Sequence, residues 1–339
     1  FFFKQKTAYE IPKRDWSSDV CSSDLYGARR MLQIGQDTRQ AVWLALFMSV
    51  LVIFVLRHLG PFLHRLGIEA EVVDLAQGYL NGVSWGVPGC YLYHVLRQMN
   101  EGIGRTIPIM VVMGIALVVN VMVSFTLVFG GFGIAPMGVL GSGLGNGISF
   151  WVMFTLIALH TARAPFYRRF ALWQALERPD AVALRRLVAL GGPIGASLLL
   201  QAGLFTALAL LMGTLGKTYA AVHQIALNYA GLVFMVPLGL AFGTAVLVGQ
   251  HVGAGDPEHA RRIGFTGIWM CGAIAATVGA VTFFLSPYIA MAYTRDAGVV
   301  AMAPALLAIS AFLQTGDGTQ SAAARSEEHT SELQSRFGI

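Results

Sequence analysis

The chain is a succession of long apolar runs separated by short polar gaps. Eight runs stand out: Thr38–Leu59, Val72–Met99, Ile107–Phe129, Met137–Leu159, Leu187–Leu215, Tyr219–Val248, Ile263–Leu285 and Ala297–Ala324. Most reach lengths that cross a bilayer, because about 20 apolar residues at 1.5 Å each span its hydrocarbon. None alternates with period two over the ~10 residues of a barrel strand. The pattern predicts an all-α polytopic membrane protein with eight visible transmembrane helices.

Polar positions inside the runs are few, so each narrows the reading. The run from Tyr219 carries His223, Gln224 and Asn228 near its start, Pro237 in the middle and a glycine-rich exit. Gln224 and Asn228 share a helix face, and His223 points elsewhere. In the last run Gln314, Asp317 and Gln320 recur at i, i+3 and i+6, again on one face. Asp317 is the acidic residue set well inside a span. A carboxylate there costs about 3 kcal/mol or more and needs a cation, a proton or a wet cavity. Gln201 and Asn120 add neutral polar groups, and Asn120 is spaced i, i+4 from Ser124. Each has two readings, a group lining a pathway or an interhelical hydrogen bond worth about 0.6–2 kcal/mol. Pro88, Pro193, Pro237 and Pro304 mark places where helices bend or pack closely.

Composition agrees: 55% of residues are hydrophobic and 12% charged, which excludes an ordinary soluble domain. The net charge of +5 is informative through its placement. With the segment before Thr38 on the cytoplasmic side, 13 arginines between residues 26 and 324 fall on inner connections, against four basic residues on outer ones. That asymmetry sets the orientation. The longest inner connection, 161–186, holds six arginines and separates residues 26–160 from 187–324, four spans each. Cys90 and Cys271 sit in apolar runs with no metal-ligand spacing. The run GVLGSGLGNG, Gly138–Gly147, departs from GxGxxG and opens a membrane helix. It reads as a close-packing face rather than a phosphate cradle. No HExxH motif or paired in-span carboxylates point to an enzyme.

The ends read differently. RDWSSDVCSSDL near the start and RSEEHTSELQSR near the finish are encoded by opposite strands of one oligonucleotide, as translated sequencing adapters would be. Residues 1–25 and 325–339 are therefore set aside as adapter-like, with no domain expected.

Taken in order, YLNGVSWGVPGCYLYHVLRQMNEGIGRTIP, LVFGGFGIAPMGVLGSGLGNGIS, LVALGGPIGASLLLQAGLF, AAVHQIALNYAGLVFMVPLGLAFGTAVLVGQHVGAGD, AYTRD and FLQTGDGTQSAAA resemble the MATE family of multidrug and toxin extrusion transporters, in its bacterial NorM-type branch. The resemblance runs from about Gly35 to Ala324. It implies two six-helix lobes related by a pseudo-two-fold axis, of which the eight runs would be helices three to ten. Residues 26–160 and 187–324 would then be partial N- and C-terminal lobes of a truncated chain, flanking the inter-lobe loop. It also implies antiport of organic cations and drugs against Na⁺ or H⁺ by alternating access, in the bacterial inner membrane. No cofactor, no nucleic acid and a monomeric state are expected. Asp317 would be the coupling-ion residue. Gln201 stands where many relatives carry Glu, so one charge of that site is missing here. His223, Gln224, Asn228, Gln314, Gln320 and Asn120 would be pathway candidates. A lipid-linked oligosaccharide flippase of the same superfamily is the alternative, weakened because most arginines map to loops.

Overall fold

A computed structural model describes residues 22–65, 69–131, 133, 135–174 and 178–337; side chains at 186, 190, 315, 317, 318 and 321–337 lie outside that description. The helices are α1 (Ser22–Gly27), α2 (Met31–Arg57), α3 (Gly60–Arg65), α4 (Ala70–Ser84), α5 (Val87–Gly102), α6 (Ile107–Phe129), α7 (Gly138–Arg163), α8 (Ala181–Leu215), α9 (Lys217–Gly253), α10 (Pro257–Tyr293) and α11 (Ala297–Phe337). A 3-10 turn, Pro165–Phe170, lies between α7 and α8. Helix starts follow local chemistry. Asp180 caps α8 by accepting from the Val182 N–H at 2.9 Å, and Asp256 caps α10 by accepting from the His259 N–H at 3.2 Å. Those bonds from His259, through its backbone and its ring, hold the Asp256 carboxyl below the usual carboxylate range.

Among the described residues, seven helices are individually long and apolar enough to cross a membrane: α2, α6, α7, α8, α9, α10 and the Ala297–Gln314 part of α11. The difference from the eight expected lies in Val72–Met99. That run is divided into α4 and α5, of 15 and 16 residues. The cause is Pro88, which has no N–H to offer the Ser84 carbonyl. Trp85 and Gly86 keep right-handed helical angles, so the break is a bend rather than a loop. The two halves together run alongside α7. Gly82 abuts Leu140 to Leu144, Gly86 abuts Gly147, Gly89 abuts Trp151, and Tyr93 shares a core with Ile157. The bent pair therefore reaches as deep as α7, which qualifies as a span by itself.

The packing is inside-out relative to a soluble protein. Large side chains face outward, with Leu199 76% and Phe312 83% exposed. Small ones make the seams. Helix α10 buries Ala260, Gly264, Gly267, Cys271, Ala275, Gly279, Thr282, Ser286 and Ala290, a stripe at spacings of three and four. In a bilayer, lipid tails match leucine for apolarity, so helices associate where backbones approach closely. Helix α7 shows this most sharply. Its Gly143 and Gly147 face Tyr79, Gly82 and Trp85 of the α4 arm, while Gly141 and Gly145 face Leu127 and Ser124 of α6. The glycine run thus packs against two neighbours through two interleaved i, i+4 faces.

Helices α2, α4, α5, α6 and α7 form one lobe, and α9, α10 and α11 form the core of the other, with α8 resting on α9 and α2. Residues 22–25, set aside on sequence grounds, lie in α1, which crosses the end of α9. The crossing is reciprocal: a Cβ at Gly27 would overlap the Gln250 carbonyl, and one at Gly253 would overlap the Asp24 carbonyl. Residues 1–21 lie outside the described residues, and the C-terminal adapter-like word falls in the last turns of α11.

Helix α7 runs to Arg163 and α8 begins at Ala181, so the connection between the lobes is shorter than 161–186. It is also anchored. Tyr167 and Phe170 are buried with Leu25, Ile34, Met99 and Ile103. The Tyr167 hydroxyl donates to Asn100 Oδ1, and Arg39 donates to the Ala171 carbonyl at 2.7 Å. Gln40 accepts from the Asp180 N–H and donates to the Arg178 carbonyl. Asn100 is fully buried, with its amide on the Leu96 carbonyl at 2.7 Å. Tyr167→Phe would strand one Asn100 lone pair in the core. A loss of about 1–2 kcal/mol is expected, seen as a lowered melting temperature of detergent-solubilised protein; an unchanged melting curve would show that this bond carries no weight.

Candidate functional site

Two polar clusters lie within the helix lobes. In the first, α6 and α7 bring Asn120 against Asn146 and Ser149. Asn120 Nδ2 donates to Asn146 Oδ1 at 2.8 Å and to Ser149 Oγ at 3.0 Å. Asn146 Nδ2 donates to the Tyr79 hydroxyl of α4 at 3.1 Å. The glycine faces of α7 make this possible, because three backbones must be close for side chains this short to meet. Asn120 Oδ1 accepts no hydrogen bond among the described residues. A neutral amide and hydroxyl cluster with a spare oxygen suits a hard cation or a water. The spacing of Asn120 and Ser124 suggested a pair on one helix; Asn120 instead bonds across to α7, and Ser124 packs on Gly145.

The second cluster lies among α9, α10 and α11. Gln314 is 7% exposed, and among the described residues neither its Oε1 nor its Nε2 has a partner. It borders a cavity of about 10 Å³ lined by Val233, Phe234, Pro237, Ala275 and Val278. That is close to the smallest space that holds one water. Pro237, lacking an N–H, removes the usual helical donor to the Val233 carbonyl. On the other side of Pro237, the Cys271 thiol donates to its carbonyl at 3.6 Å. A buried amide left unpaired costs about 1–3 kcal/mol, so a water or a small cation would relieve it.

The other candidates are placed as follows. Asp317 lies on α11, three residues after Gln314, and its side chain is outside the described residues. Gln320 is exposed on the same helix. Gln201 is exposed on α8 and makes no hydrogen bond among the described residues, and α8 packs mainly on α9. The structure therefore does not bring Gln201 to Gln314. His223 faces inward, 8% exposed, beside the core of Val222, Ala226, Ala290 and Leu307, with Nε2 unpartnered. Gln224 and Asn228 share the opposite, exposed face, and Asn228 Oδ1 accepts from the Tyr293 hydroxyl at 2.8 Å. The Tyr229 hydroxyl meets Thr282 Oγ1 at 2.9 Å. The sequence reading did not single out Tyr79 and Tyr293. The available signal was that a phenol within a span needs a hydrogen-bond partner. Among the described residues no group of three or more His, Cys, Asp or Glu side chains is placed to hold a metal ion.

Comparison with known proteins adds sequence and fold relatives. The family model described as MatE matches residues 16–126 and 193–326. The probable multidrug resistance protein NorM of Xanthomonas axonopodis pv. citri is 39% identical over 298 residues, covering 88% of this chain and 65% of that protein. The multidrug resistance protein MdtK of Pectobacterium atrosepticum is 37% identical over 300 residues, with the same coverage. The chain thus spans 65% of the length of these relatives. Among solved structures, the eukaryotic MATE transporter AtDTX14 superposes with a TM-score of 0.81 at 19% identity, over 93% of this chain and 70% of that one. Vibrio cholerae MATE transporter VcmN in its bent form gives 0.73 at 17% identity, over 93% and 73%. At these identities the structural likeness speaks for the fold.

Proposed function

The chain belongs to the MatE family, and from that footing we propose that the protein is a secondary active multidrug exporter rather than an enzyme. It exchanges organic cations for Na⁺ or H⁺ across the bacterial cytoplasmic membrane by alternating access. The observation that carries this reading is in the C-lobe: a buried Gln314 amide, unpartnered among the described residues, at a small apolar-walled void three residues before Asp317 on α11. Such groups within a span are costly unless an ion, a proton or water visits them. The relatives named as multidrug resistance proteins support the choice of substrate class.

In this scheme Asp317 and Gln314 hold the coupling ion in one lobe. Asn120, Asn146 and Ser149 offer neutral oxygens in the other. Gln201 supplies an acceptor without charge, which lowers attraction for Na⁺ relative to a carboxylate. Gln224, Asn228 and Gln320 present polar surface to the pathway, and His223 stays on the core side of α9. The two lobes would rock about the midplane sites.

The test is ethidium retention in cells lacking their own drug exporters. Cells expressing the protein at the full length of its relatives, of which this chain spans 65%, should retain less ethidium than vector controls, and the difference should vanish when the Na⁺ and proton gradients are both collapsed. Retention equal to controls at confirmed membrane expression would sink the proposal.

A further inference from the structure

A second feature lies away from these clusters. Where the lobes meet at the arginine-rich inner face, an open cavity of about 530 Å³ is lined by Tyr26, Arg29 and Met31 ahead of and at the start of α2, Arg169 of the 3-10 turn, and Gln250 and His251 of α9. That volume is in the range of pockets that take whole small ligands, well beyond one water.

Among the described residues its arginines have no carboxylate partner. Arg169 stands with its guanidinium carbon 4.3 Å over the Phe166 ring, and Arg105 lies at 4.3 Å from the same ring. The Arg169 Nε donates to the Phe166 carbonyl at 3.1 Å, leaving its terminal nitrogens unused among the described residues. Arg29 sits at a left-handed φ of 59°, a conformation uncommon for a non-glycine residue. Among the described residues no carboxylate pairs with Arg29, Arg105 or Arg169. The nearby acids are engaged elsewhere: Asp256 with His259 at 2.7 Å, and Glu101 with Arg97 at 2.7 Å. Asp24 is buried in α1 beneath Gly249 and Gly253. Arg169, fixed on the Phe166 ring with its terminal donors free, and the exposed Arg29 beside it match phosphate oxygens, while Arg105 lies outside the lining.

We propose that this cavity binds the phosphodiester headgroup of an anionic phospholipid from the inner leaflet. Its place at the inner ends of the helices, its size and the negative potential of that leaflet favour a lipid over free phosphate. The headgroup would touch residues before α2, the inter-lobe turn and α9 together. A lipid seated there ties both lobes at their inner ends, where Gln250 already donates to the Gly102 carbonyl at 3.0 Å.

The experiment measures binding of a fluorescent short-chain phosphatidylglycerol to the detergent-solubilised full chain. Phosphatidylcholine and inorganic phosphate serve as competitors. Phosphatidylglycerol should bind saturably, phosphatidylcholine should compete at least tenfold more weakly than unlabelled phosphatidylglycerol, and phosphate should not displace the probe at millimolar concentration. The double variant Arg29→Gln/Arg169→Gln should weaken binding tenfold or more. Arg261→Gln/Arg262→Gln, basic residues at the start of α10 that do not line the cavity, should leave it unchanged. Equal loss in the two double variants, equal competition by phosphatidylcholine, or displacement by phosphate alone would each overturn the proposal. If the first double variant does not purify, Arg29→Gln alone, at an exposed side chain, is judged by the same criterion with a threefold loss expected.

Discussion

Gly143→Val is expected to abolish recovery of the folded protein. A Cβ at this position would overlap the Tyr79 carbonyl and stand 3.1 Å from the Val83 nitrogen and 3.2 Å from Gly82 Cα. All three obstacles are backbone atoms, so no rotamer change can relieve the clash. Overpacking a core whose side chains can shift costs about 1–3 kcal/mol; here α4 or α7 must move as a body, and the cost exceeds that range. Separation of α4 from α7 would also pull Tyr79 from Asn146 and so undo the N-lobe polar cluster. The control is Gly114→Val on α6, where an added Cβ meets nothing within 4 Å. Size-exclusion chromatography in mild detergent should show the monodisperse peak reduced at least tenfold for Gly143→Val and within twofold of wild type for Gly114→Val. Comparable peaks for the two variants would refute the close-packing account of α7.

Asp317→Asn is expected to remove coupled drug export while leaving insertion and folding intact. Asparagine keeps the size and one oxygen acceptor but cannot carry charge or exchange a proton. If ion binding in the C-lobe drives the conformational cycle, the loss should reach tenfold or more in the initial rate of ethidium efflux. The melting temperature should stay level or rise, because a charge is no longer held in the bilayer. Normal efflux by Asp317→Asn would place the coupling site elsewhere, with the Asn120 cluster as the remaining structural candidate. A lowered efflux accompanied by a collapsed melting temperature would instead assign Asp317 a structural duty.

The membrane architecture was legible because it rests on run length and composition, and both survive without tertiary information. The orientation rests on arginine placement alone and stays an expectation. The bend at Pro88 was half legible: the proline was noted, but hydropathy alone runs straight through Trp85 and Gly86. The glycine run of α7 could be read as a packing face. Its division between two neighbours required knowing which helices flank it. The polar clusters were harder. Asn120 and Ser124 share a helix face by spacing, yet the bonds that matter cross to α7 and α4, and spacing within one helix carries no information about its neighbours. Gln201 illustrates the same limit, since its place in a motif did not reveal that α8 packs mainly on α9 and leaves the residue exposed. Gln314 was found through its register with Asp317, but its isolation beside Pro237 depends on a void that no one-dimensional pattern encodes.

The approach of Gly27, just past the adapter-like residues, to the Gln250 carbonyl near the end of α9 has a mechanical consequence. Glycines there let main chains touch directly, with no layer of flexible side chains between them. A gap of about 0.5–1 Å already forfeits a quarter to a half of the dispersion attraction between such atoms. The restoring force at the inner ends of the lobes is therefore stiff and short-ranged, in the manner of a latch rather than a spring. Small thermal displacements are resisted, and if the proposed rocking of the lobes breaks this contact, little would remain to pull them back, so they would part in one step rather than by degrees.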